Sequence, residues 1–466
     1  MGVKYAMRYL VSVLILVLFS ACGIFNSTPE RSRPSSPRSP QKPKTEKKTK
    51  EKKVEKPFEK LDSVSSENQV DTVVGRDEEP DPEFRKKDVY TIQLILPLVP
   101  LDEGGLIEEI ETKTNREFEE RKEKLLPFNV HFLEYFSGFQ LAMETSVERF
   151  SDFNYRLHIK SSGDFDALLE QSYEWSLDPK PDVILGGIKP ASVNHLTSIS
   201  SQHNVYYISP WITNSPFSNN PLFLQLTPGL EQYCHFMAEE VANDSTISSV
   251  TLLTSSGFAD RLEIFTSFFD TIYPDLDYQS WVVDRFEDED NEPLLIPDRM
   301  VLDTTHKLIL AMDRDESYLY EALSYFSNQE EWKGEIYGFS SWRNFPLLFE
   351  YFENGNIHLV SHTSPVQQDS LFKQFEKSYF DRFSTLPSSW VKKGYDHGMF
   401  VAEGLALYGL DFYAYLDEID YQGIELFFKF PPQSDEQMEG LPMLPLINEG
   451  VEMLHYRDHI FRLENE

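Results

Sequence analysis

The chain has 466 residues, 43 Lys+Arg against 77 Asp+Glu, and a formal net charge of −34. The imbalance is regional: residues 1–60 hold 14 basic and 5 acidic side chains, leaving 29 basic and 72 acidic in 61–466. A body this acidic repels phosphate, which excludes nucleic acid as a partner, and two cysteines, Cys22 and Cys234, make no disulfide framework.

Lys4 and Arg8 precede an apolar run, Tyr9 to Phe19, that ends in Ser20-Ala21-Cys22. A charged start, a short apolar core and small residues at the cut read as a signal peptide over 1–21. The run is too short to span a bilayer comfortably. A cysteine directly after Ala21 is the thiol that a bacterial lipoprotein signal needs, so Cys22 is the predicted lipidation site, with a plain secretory signal as the alternative. Phe19 stands where the usual lipobox has Leu. Gly23 follows Cys22 with no acidic cluster, and the predicted anchor lies on the periplasmic face of the outer membrane. With Cys22 lipidated, Cys234 has no partner and reads as a small buried hydrophobe.

Residues 22–87 read as a basic, Pro/Lys-rich disordered tether. Pro29, Pro34, Pro37, Pro40 and Pro43 interrupt Ser, Arg and Lys, and the stretch Lys44 to Lys53 is mostly charged. Such a segment cannot bury enough apolar surface to offset the entropy of ordering. Its r.m.s. reach is on the order of 40–45 Å. It is either a passive spacer or a basic contact for anionic lipid or wall polymer.

From Asp88 the pattern alternates between strands and amphipathic helices. Strands are predicted at 89–96, 155–159, 181–187, 205–209, 250–254, 308–311 and 335–338. Helices are predicted at 132–150, 165–175, 192–202 and 230–241. The alternation predicts an α/β fold of parallel sheets flanked by helices. More than 350 residues exceed one comfortable core, so two lobes are expected. The aromatic content, 35 Phe and 23 Tyr, can fill both.

Several segments, in this order, resemble the type I periplasmic binding proteins, the branched-chain amino-acid receptor group. Val89 to Leu98 is similar to the family's opening strand, and Phe132 to Ala142, with Gly138, to its first helix. Asp182 to Gly187 followed by Pro190-Ala191-Ser192 resembles the strand and loop that open the binding cleft. Val205 to Asn214 resembles the Ser-Pro-x-x-Thr-Asn segment. Gly394-Tyr395-Asp396, with Ala402 to Gly409, resembles the late Gly-Tyr-Asp helix. Leu310 to Glu316 and Tyr337 to Trp342 resemble turns of a lipoprotein branch found in Bacteroidetes-like bacteria.

The resemblance implies a two-lobed fold, with lobe 1 at 88–226 and 362–412 and lobe 2 at 227–361 and 413–466. It implies a small molecule held between the lobes by Ser192, Ser209 and Thr213. Trp211 stands where the family has a small residue, and it either stacks on a ligand or fills the cleft. In lobe 2 the expected ligand-facing positions are Phe258, where the family often has Tyr, and Ser340. The acid that binds an amino-acid ammonium has no clear counterpart, since Arg343 occupies its region.

No enzyme, cofactor or metal is predicted. Ser389-x-x-Lys392 lacks companion motifs. His358 and His362 fall in a strand-like run with no Glu between them, which is not a zinc pattern. Asp396 and His397 have no nucleophile beside them and read as local hydrogen bonding. The acidic run 284–292 lacks the glycine of a calcium loop. Two functions fit. One is a membrane-anchored solute-binding lipoprotein serving a transporter or sensor. The other is an envelope interaction protein that uses the same fold to dock on a wall synthase or outer-membrane complex.

Overall fold

The computed structural model describes residues 84–98, 115–161 (backbone only for 115–128), 180–213, 220–247, 249–286, 306–328, 334–352, 356–365, 370–419, 421–432, 446–457 and 460–463. The signal peptide, Cys22, the tether up to residue 83 and the helix expected at 165–175 lie outside the described residues.

Strand β1 (Tyr90–Leu96) is buried along its whole length, as expected of a parallel strand covered on both faces. With it in the first sheet are β2 (Tyr155–Ser161), β3 (Val183–Gly186), β4 (Tyr206–Ser209) and β5 (Phe223–Gln225). The second sheet takes β6 (Ser249–Thr254), β7 (Tyr278–Val282), β8 (His306–Leu310), β9 (Glu335–Phe339) and β10 (Ile357–Ser361). The chain then returns through β11 (Leu446–Ile447) to the first sheet and through β12 (Glu452–Arg457) and β13 (Ile460–Leu463) to the second.

The strand orders are β11-β5-β4-β3-β1-β2 and β13-β12-β10-β9-β8-β6-β7. All pairings are parallel except those that β12 makes with β10 and β13. Order reverses between β1 and β3 in the first sheet and between β6 and β8 in the second. Loops diverge at such switch points on the carboxyl edge, which is where α/β sheets bind ligands.

Seven helices of three turns or more are described: α1 (Asn115–Arg149), α2 (Pro190–His203), α3 (Leu230–Asn243), α4 (Asp260–Ile272), α5 (Glu316–Ser327), α6 (Ser370–Phe383) and α7 (Ser389–Tyr408). Around the second sheet Phe265, Phe269, Phe326 and Trp342 are fully buried, and Cys234 lies in the same core, burial raising its thiol pKa. Trp342 fills the space over Gly338, and its indole donates to Met312 O (2.7 Å). Around the first sheet the core takes Tyr90, Phe132, Tyr135, Phe139, Phe400 and Phe412.

Helices α1 and α7 pack backbone to backbone. A Cβ on Gly138 would lie 1.9 Å from Val391 O, and one on Gly394 would lie 2.0 Å from Tyr135 O. The Gly-Tyr-Asp glycine is therefore a packing requirement.

The structure moves two expected boundaries. Residues 84–87, assigned to the tether, are fastened to lobe 1. Phe84 packs edge-on against Tyr408 and Tyr415, and the Arg85 amide and guanidinium both bind Asp411. Lys87 pairs with Asp182 at 2.7 Å. The boundary at 412 also falls too early. Tyr413, Leu416, Ile419, Phe430 and Leu446 belong to the first lobe's core, and β11 pairs with β5. Apolar side chains in a segment without helical or strand periodicity gave no sequence signal of which core they enter.

Among the described residues the chain passes between the sheets three times, at 226–229, 362–365 and 448–451. Asn448, 1% exposed, ties these passages together. Its Nδ2 donates to Leu226 O and Phe427 O (2.8 Å each), and its Oδ1 accepts from Lys429 N and Gly450 N (2.9 Å each). Phe427 N donates to His362 O at 3.1 Å.

Gly394→Val should destabilise the protein by about 3 kcal/mol, since the Tyr135 backbone cannot yield as a flexible side chain would. Urea denaturation checks this; an unchanged midpoint would mean the helices are not in backbone contact.

Candidate functional site

The loop after β3 opens lobe 1's carboxyl edge. Gly187 has φ +86°, and a Cβ there would meet the Tyr207 hydroxyl at 2.5 Å. That hydroxyl donates to Gly186 O at 3.0 Å. Only glycine allows this left-handed, crowded turn. Pro190 then starts α2, and Ser192 sits in its first turn at 5% exposure. Ser209 ends β4, fully buried, its hydroxyl beside the Tyr207 phenol. Thr213 is exposed, and Trp211 is half-buried with its Nε1–H buried and without a hydrogen-bond partner among the described residues.

Ser192, Ser209, Trp211 and Thr213 thus share lobe 1's carboxyl edge. Phe258 and Ser340 occupy the corresponding edge of lobe 2, past β6 and β9. Phe258 is covered by the Arg261 guanidinium, 4.4 Å from its ring centre, and Arg261 pairs with Asp313 at 2.6 Å. Ser340 opens a short 3₁₀ turn that ends past Arg343.

Trp211 belongs to a cluster that sequence reasoning did not assemble. Its ring meets Phe132 at 5.2 Å and Tyr135 at 5.0 Å, both edge-on. Phe132 also touches Trp390 (5.4 Å), on which His131 stacks at 5.2 Å. The Tyr135 hydroxyl and His397 Nδ1 are hydrogen-bonded at 3.0 Å. His362, one residue past β10, bonds the Tyr233 hydroxyl of α3. The Lys393 Nζ lies 5.8 Å from the Trp390 ring centre. Trp390, Lys393 and His397 recur at i, i+3 and i+7, one helical face, and this spacing was the available sequence signal.

The electrostatics of this corner are set by burial. Burial, with the Lys393 charge beside it, holds His362 near a pKa of about 3. His397 is brought to about 3 by burial, then Lys393, then His362. Both imidazoles are neutral at pH 7. Asp396 accepts from Ile424 N, Glu425 N, Leu426 N and the Tyr421 hydroxyl (2.8–2.9 Å), while burial pushes its carboxyl up to about 7. Glu425 takes Ser389 Oγ and Lys392 Nζ at 2.9 Å each, so the Ser-x-x-Lys pair serves a buried carboxylate.

A depression of about 370 Å³ bordered by Lys86, Asp88, Tyr90, Asp152 and Asn154 lies at the amino edge of lobe 1, the end opposite these residues. It accompanies the fastening of residues 84–87. Among the described residues no cluster of three or more His, Cys, Asp or Glu could hold a metal ion, and no helix is long and apolar enough to cross a membrane.

Two mostly parallel sheets, linked three times and meeting near their carboxyl edges, are the architecture of the type I periplasmic binding proteins. A protein from Rhodospirillum rubrum assigned as a branched-chain amino acid ABC transporter has this fold, with TM-score 0.55 and 13% identity over 80% of this chain and 99% of that one. Also similar are an ABC transporter substrate-binding protein from Desulfitobacterium hafniense (TM-score 0.49, 13% identity, 80% and 99% covered) and a leucine binding protein from Thermotoga maritima (0.42, 11%, 80% and 97%). At 13% identity the likeness to the Rhodospirillum rubrum protein is one of fold. The sequence matches no protein-family model and no curated protein.

The unfolded chain protonates His397 near pH 6.5 and the folded chain only near 3. The stability contributed by its neutral form is present above 6.5 and is lost as pH falls, at about 1.4 kcal/mol per unit. His397→Asn should therefore lose about 2 kcal/mol less stability than the wild type between pH 6.5 and 5. Urea titrations at each pH test this; parallel losses would mean His397 is charged when folded.

Proposed function

We propose that this chain is an extracytoplasmic solute-binding lipoprotein. Cys22 carries the lipid, at the periplasmic face of the outer membrane. The segment up to residue 83 is the spacer. The two lobes take a small molecule between them and present it to a transporter or sensor. The observation that carries this reading is the meeting of two sheet edges at a junction with an unpartnered indole donor and a half-buried cation, Trp211 and Lys393. Buried polar groups are normally satisfied, so an acceptor arriving with the ligand accounts for the Trp211 donor, and Lys393 supplies a charge beside it. Ser192, Thr213, Phe258 and Ser340 border the same space in this reading, and Ser209 supports the wall from behind. The chain carries out no chemistry on what it binds.

A ligand that bridges both lobes stabilises the protein by RT ln(1 + [L]/Kd), about 2.7 kcal/mol at a hundredfold excess over Kd. A thermal-shift screen of amino acids, organic acids, short peptides, nucleosides and wall fragments should give a hit. Thr213→Val should weaken that hit while leaving the ligand-free melting point nearly unchanged, because Thr213 is exposed. A silent screen, with an envelope protein recovered by crosslinking in cells, would contradict solute capture in favour of the docking role.

A further inference from the structure

We infer that the junction is built for an organic anion that carries a planar or aromatic group and no ammonium, anchored by Lys393. The inference rests on the solute-binding reading and specifies its ligand.

The first ground is the inventory of charges. Lys393 is half-buried on α7 and has no carboxylate within ion-pair distance among the described residues. The neutral Trp390 ring lies beside it, and its charge is felt by two neutral imidazoles, His362 and His397. An ammonium held among uncharged groups favours an incoming anion, and a charge-assisted bond in partly dry surroundings is stronger than one in water.

The second ground is that the described carboxylates flanking Lys393 on α7 and the Ser340–Arg343 turn are already engaged. Asp396 is saturated by four donors. Glu425 is held by Lys392 and Ser389, and Arg343 of lobe 2 feels its charge. Asp313, past β8, is paired with Arg261. A ligand ammonium beside Lys393 would be repelled by it and would find none of these three acids free, so an amino acid is disfavoured there.

The third ground is the wall itself. Trp211, Phe132, Tyr135, Trp390 and His131 form one continuous ring contact network beside Lys393. The Trp211 indole N–H has no acceptor among the described residues. Half-buried Trp211, Trp390 and His131 offer faces and edges to a flat apolar group, and the indole offers a donor to its oxygen.

Calorimetric titration with three probes of one skeleton tests this: 3-phenylpropanoate, L-phenylalanine and 2-phenylethylamine. The wild type should bind 3-phenylpropanoate, bind L-phenylalanine at least tenfold more weakly and not bind 2-phenylethylamine. Lys393→Gln should weaken 3-phenylpropanoate at least tenfold, and Lys393→Arg, which keeps the charge, should retain it. The wild-type comparison stands even where a variant does not fold. L-phenylalanine binding as tightly as the acid, retention in Lys393→Gln, or no wild-type binding of the acid at millimolar concentration overturns the inference. A hit with a nucleoside or wall fragment while the aryl acid is silent overturns it and leaves solute binding standing; silence of the whole screen removes both.

Discussion

One buried carboxamide holds the two halves of this molecule in relation to each other. Asn448 reaches the first passage between lobes through Leu226 O, the third through Gly450 N, and the segment 427–429 through Phe427 O and Lys429 N. Phe427 in turn holds the second passage through His362 O. Just upstream, Asp396 draws 421–426 onto α7 with three backbone N–H groups and a phenol. The extended segment 421–432 is thereby a stitched strap across all three passages. An amide satisfies two donors and two acceptors at once, which neither a hydroxyl nor a carboxylate can do. The base of the junction is thereby fastened by hydrogen bonds to all three passages.

The charge distribution bears on what can reach those walls. A strongly acidic body opposes the approach of an anion at long range, yet at physiological salt charges beyond about 8 Å are largely screened. Beside the Trp390 ring, half-buried Lys393 supplies a local positive charge. Local cation and distant acidity therefore do not conflict: the field limits encounter, and the neighbouring side chain sets affinity. The neutral state of His362 and His397 keeps this corner at a single positive charge rather than three.

The fold was legible in the sequence because its signals are local and strong. Short, mostly apolar segments such as Tyr90–Leu96 and Val183–Gly186 read as covered strands, and the Gly-Tyr-Asp helix carries its packing glycine in its own motif. The boundary at 412 failed because the 3₁₀ stretch 409–418 and the strap 421–432 have no periodicity, and their direction is set by distant partners such as Asp396 and Asn448. The docked residues 84–87 were hidden for the same reason: Arg85 finds Asp411 more than three hundred positions away. The site was half legible. Motif position placed Ser192, Ser209, Trp211 and Thr213 on one edge, but not that Ser209 is fully buried beside Tyr207. The wall of His131, Trp390 and Lys393 comes from two helices whose meeting no linear pattern announces.

Native mass spectrometry of the protein isolated from its own envelope, without refolding, tests the central claim most directly. A population heavier than the processed chain by the mass of one small organic acid is expected, the acid being lost under collisional activation as an anion. A bare chain throughout, or a species carrying a neutral or cationic molecule or a second protein in place of the acid, would contradict it.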